Sequence, residues 1–215
     1  MEFREVFGAI VKELEKRQKK KDYKRIKTLA HKKMALEDEL KRAIVAMPQK
    51  EKDKLLLRLV AKDDMLVKRL EFELIEQGDT VQERRDDIKR RILKVAKMTH
   101  DSPGWMMMDM RTFSGDISQH IKITKDKYGE IELTIYLLLT FFEYQSEMLR
   151  VHNSKSDSCA EYIAKKADGL MKKLAKFDTD YYVDFERDVQ QLLDYIHSHC
   201  PRNYARTLDI PKQWP

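Results

Sequence analysis

Glycine and proline are scarce, with six and five in 215 residues, well below the roughly 12% combined share usual in proteins. Few sharp turns are therefore available, which disfavours β-sandwiches and doubly wound sheets and favours long helices. Two cysteines, Cys159 and Cys200, are too few for a disulfide framework. The start Met-Glu-Phe-Arg-Glu lacks the basic and apolar regions of a signal peptide, so a reducing, cytoplasmic location is the expectation. The longest apolar run, Ile135 to Phe142, is interrupted by Thr140 and falls far short of the roughly 20 residues that span a bilayer. No membrane partner is expected.

Enzyme signatures are missing too. The glycines Gly8, Gly78, Gly104, Gly115, Gly129 and Gly169 are too dispersed for a phosphate-cradling loop, and neither G-x-S-x-G nor H-E-x-x-H occurs. The Glu-x-x-His pairs of di-iron bundles are absent as well. The pairs Asp63-Asp64 and Asp86-Asp87 read as turn and surface carboxylates. A non-enzymatic protein without a cofactor is the expectation.

What is abundant is charge, 37% of residues, against 42% hydrophobic. The net charge of +6 is not spread evenly: residues 1–50 hold 15 Lys/Arg against 8 Asp/Glu, so the remainder is close to neutral. Apolar residues recur with helical period along the whole chain. Phe3, Val6, Phe7, Ile10, Val11 and Leu14 form one stripe. Apolar positions from Tyr23 to Met47 predict one long helix, or two joined near His31, ended by Pro48, because the residue before a proline is driven out of helical geometry.

Two leucine-rich helices follow over 50–61 and 64–76, separated by Lys62 and Asp63, with Asp63 or Asp64 as the cap of the second and Gly78 closing it. So short a connection predicts an antiparallel αα-hairpin. A third helix, capped by Asp79 or Thr80, carries Val81, Ile88, Ile92, Val95 and Ala96 on one face and Arg84, Arg85, Lys89, Arg90 and Lys94 on the other. The stretch from Met47 to Gln77, MPQKEKDKLLLRLVAKDDMLVKRLEFELIEQ, resembles units of HEAT-like helical repeat proteins. That resemblance implies a stacked α-α superhelix used as a binding scaffold and carries over no catalytic residue. No fixed-period repeat of the unit runs along the chain.

Asp101-Ser102-Pro103 signals another helix start. Over 119–136 two readings stay open: a β-hairpin, from the alternation of Ile121, Ile123, Ile131, Leu133 and Ile135 about Asp126 to Gly129, or helices continuing through Leu149. In the helical reading Leu133 to Leu149 is the middle of the core, being apolar on nearly all sides. His152 to Ser158 reads as a loop. Two more helices follow, around Tyr162 to Phe177 and Tyr182 to Ile196, the second capped by Asp178 or Thr179 and stopped by Pro201. The expectation is a single all-α domain over 1–215, of seven to nine helices packed as antiparallel pairs in a HEAT-like superhelix. A helical bundle with additions is the alternative. The domain has a basic N-terminal part over 1–47 and an irregular tail over 201–215.

Three groups of residues are candidates for function. Lys16, Arg17, Lys19, Lys20, Lys21, Lys24, Arg25 and Lys27 are candidate phosphate contacts of a nucleic-acid-binding module, since cations that neutralise phosphates release counterions; the plainer reading is a solvated helix face. Trp105, Met106, Met107 and Met110, within a run that also holds Met98 and Met108, are candidates for an adaptable partner groove, with core filling as the plainer reading. His197 and Cys200 sit at the three-residue spacing of a metal half-site, but no second paired motif exists to complete it. A protein partner is the leading expectation, and nucleic acid the alternative.

Overall fold

The computed structural model describes residues 36–150 and 152–214. Among them it holds ten α-helices and no strand. The stripe over 3–14, the helix junction near His31 and the basic cluster over 16–27 lie outside the described residues. The chain divides into two units, 1–58 and 59–215, whereas the sequence reading takes 1–215 as one domain.

In the first unit, α1 spans Asp38–Ala46. It stops where expected, with Met47 extended at ψ 145° ahead of Pro48. Helix α2 spans Gln49–Val60, its last two residues belonging to the second unit, and the Pro48 carbonyl accepts from Glu51 and Lys52 N–H, which settles the start of a helix whose first residue follows a proline.

In the second unit, α3 spans Asp64–Leu70 with Asp63 as N-cap, its carboxylate accepting from Met65 N–H at 3.0 Å and Leu66 N–H at 3.1 Å. It widens into a π turn over Glu71–Ile75. Both Gln77 and Gly78 take positive φ, 53° and 80°, and the Gly78 N–H closes the helix on the Phe72 carbonyl. Helix α4 spans Val81–Ala96. Thr80 makes no cap bond to it, because its hydroxyl is turned to the Glu76 carboxylate.

The stretch 119–136 is helical. Helix α5 spans Pro103–Thr124, capped by Ser102, and α6 spans Lys127–Tyr144. Only Lys125, left-handed at φ 61°, and Asp126 lie between them. The alternating isoleucines belong to two helices meeting at a tight corner: Ile123 and Ile131 are both buried, on either side of it. Short α7 (Ser146–Arg150), then α8 (Asp157–Leu174), α9 (Tyr182–Ser198) and α10 (Arg202–Thr207) complete the unit. Part of the tail expected to be irregular is thus α10, and only the residues beyond it run without helix.

Helix α6 is the centre. It packs against α4, α5, α8 and α9, and its Leu133, Leu137, Leu138, Phe141 and Phe142 are fully buried. Each such side chain contributes roughly 1.5–3 kcal/mol on burial. Phe142 lies parallel to Tyr195 of α9, with 5.1 Å between ring centroids. The loop over His152 to Ser156 is built on Asn153, whose side-chain oxygen accepts from the Lys155 and Ser156 N–H groups.

Candidate functional site

Neither α1 nor α2 buries a single residue, although both are amphipathic. On α1 the apolar side is Leu40, Ala43 and Ile44; on α2 it is Leu55, Leu56 and Leu59, at i, i+1 and i+4. Leu40 is 48% exposed and Leu56 59%. Leu36 and Leu57 are also exposed. Large apolar side chains on two short helices are thus left exposed among the described residues, the kind of apolar exposure that merits a functional reading.

The methionine segment divides by helical face. Met106 and Met110 are fully buried and Met107 nearly so, packed in the core beside Ile88, Ile92 and Leu137. These three do not form an open groove, because their spacing of three to four residues is the inward stripe of α5. Trp105 and Met108 project outward, 66% and 52% exposed. Of the C-terminal pair, Cys200 is buried, and burial pushes its thiol up to about 12. His197 donates from Nε2 to the Pro211 carbonyl at 3.0 Å, and no group of three or more His, Cys, Asp or Glu placed to hold a metal exists among the described residues.

Most of the basic face of α4 is occupied. Arg84 grips Glu76 through Nη2 at 2.7 and 2.9 Å, Lys89 meets Glu132 at 2.6 Å, Arg90 meets Asp87 at 3.2 Å, and Arg91 meets Asp116 at 2.6 Å. Cations already paired to carboxylates release few counterions to a phosphate backbone.

One polar cluster was not foreseen. Asp126, at the corner between α5 and α6, accepts from Arg85 Nε and Nη2, both at 2.6 Å, from His120 Nε2 at 3.0 Å and from Gly129 N–H at 2.8 Å. Burial alone would raise its carboxyl, but the hydrogen bonds from His120, Arg85 and the Gly129 amide outweigh that and hold it well below the usual carboxylate range. Gly129 is required here: a Cβ would fall within 2.5 Å of Arg85 Nε and closer still to the Asp126 carboxylate. The sequence signal was the Asp-x-x-Gly spacing, an N-cap three residues before a glycine; its tie to Arg85, 41 residues away, had no local signature.

His120 also lines an open cleft of about 670 Å³ with Arg84, Arg91, Asp87 and Asp116. None of the described residues lining it carries a hydroxyl or a thiol. With its acceptors filled by three helices' worth of donors, Asp126 works as a clamp between α4, α5 and α6.

The fold defines a class no finer than an all-α protein. Comparison with protein-family models, curated proteins and solved structures finds no match. No helix among the described residues is long and apolar enough to cross a membrane.

Proposed function

We propose that this protein is a non-enzymatic helical scaffold that binds a partner protein through the apolar faces of α1 and α2. The observation that carries the reading is the absence of any buried residue in two amphipathic helices of 9 and 12 residues. Isolated helices of that length are marginal in water, and most helical stability comes from packing an apolar face. In this reading the stretch 47–77 is the stacking unit, of the HEAT-like kind its sequence resembles, and the partner supplies the helices it stacks on. The basic run over 16–33 immediately ahead of α1 favours a partner with an acidic rim, since complementary charge speeds encounter and fixes register.

The test compares the full chain with a Leu40→Asp/Leu56→Asp variant by quantitative affinity purification from the cells that make it. A stoichiometric partner lost with the variant, while the thermal unfolding of the 59–215 unit is unchanged, is the expected result. Co-purifying proteins that are indifferent to both substitutions would contradict the proposal.

A further inference from the structure

Beyond α10 the chain turns back at Asp209, left-handed at φ 53°, and runs along α9. Three hydrogen bonds hold this strap: His197 Nε2–H to the Pro211 carbonyl at 3.0 Å, Gln190 Nε2–H to the Lys212 carbonyl at 3.2 Å, and Trp214 N–H to Gln190 Oε1 at 3.0 Å. Trp214 is thereby placed against Tyr182, with 5.0 Å between centroids and the rings tilted by 57°. Tyr182 is itself fixed, because its hydroxyl donates to the Leu174 carbonyl at 3.0 Å.

Between the strap and α8 these contacts leave an open cavity of about 450 Å³, lined among others by Met171, Leu208, Ile210, Tyr182 and Trp214. A concave, mainly apolar space of this size with few polar groups is the usual form of a small-molecule site. Its charged groups are Asp168, Lys172 and Asp209. Lys172 pairs with Asp168 at 2.6 Å, and Asp209, which is solvent-exposed, makes no ion pair among the described residues, so the mouth of the site keeps one unpaired carboxylate. A cation there gains from Asp209 and from the electron-rich faces of the two aromatic rings.

We propose that this cavity binds a small amphiphilic amine, its aryl or alkyl body against Tyr182, Trp214 and Met171 and its ammonium on Asp209. The site is independent of the docking faces of α1 and α2. The chain has two tryptophans, so Trp105→Phe in the full-length protein leaves Trp214 as the sole tryptophan. Its fluorescence is titrated with 4-phenylbutylamine, 4-phenylbutanol and 4-phenylbutyrate.

Saturable binding of the amine, about 5-fold or more tighter than the alcohol and the acid, is the expected result. Asp209→Asn, which a left-handed backbone tolerates, brings the amine down to the level of the alcohol. The Met171 methyl resonance moves with the amine, while that of buried Met106 stays in place. No saturable change with the amine, equal binding of all three probes, or an amine affinity unaltered in Asp209→Asn would each overturn the proposal.

Discussion

At Asp126 four donors converge on one carboxylate, and the consequence is a pH-dependent contribution to stability. Its pKa is depressed in the folded chain, so the contribution is fully present above the unfolded value near 4 and is lost as the pH falls through the folded value. The melting temperature of the native chain is expected to fall more steeply below about pH 4 than that of Asp126→Asn. At neutral pH that variant is less stable by about 3 kcal/mol, since the Arg85 guanidinium stays buried and loses its countercharge. Gly129→Ala costs about 1–3 kcal/mol through overpacking of the same corner. Urea melts at several pH values check all three statements; a pH profile shared by native and variant chains would contradict the clamp. The cysteines give a second residue-scale prediction. Burial pushes both thiols up to about 12, so a disulfide-exchange reagent at pH 8 finds no reactive thiol in the folded chain and two after denaturation.

For the elements, burial sets the order of local stability. Helices α1 and α2 bury nothing, whereas α6 buries side chains around most of its circumference. Amide exchange in the purified protein is expected to be about 100-fold or more faster over 38–60 than over 131–142. Equal protection of the two segments would mean that the N-terminal faces are already covered. The helices themselves were largely legible: Pro48, Asp63 and Ser102 end or begin elements as their chemistry requires, whereas Asp178 caps a 3-10 turn over Thr179–Tyr181 and α9 follows it without a side-chain cap of its own. The corner over 124–127 was not, because a run of isoleucines alternates there with polar residues as in a strand, and only tertiary burial of Ile123 and Ile131 resolves it. Helix α10 escaped notice because six residues give too short a window for periodicity. The methionine segment was open to a groove or to core filling, and only the burial of Met106, Met107 and Met110 decides for the core. The Asp126 clamp and the C-terminal cavity join residues tens of positions apart, and sequence spacing carries no signal for such a meeting.

At the level of the whole molecule, the fully buried side chains among the described residues run from Ile92 to Ala205, all within the 59–215 unit. That unit is expected to fold without residues 1–58 and to unfold in one cooperative transition, checked by calorimetry on the fragment. A fragment without a cooperative transition would show that the N-terminal residues complete the core. The proposed division of labour joins a helical body over 59–215 to N-terminal helices that offer apolar surface to a partner. The measurement that tests this most directly is photo-crosslinking in the native cells, with a benzoylphenylalanine placed in turn at Leu40, at Leu56 and at Val183, an exposed position on α9. The account predicts one discrete protein adduct shared by positions 40 and 56 and absent at 183. No adduct from either leucine position, or the same adducts from all three, would contradict it.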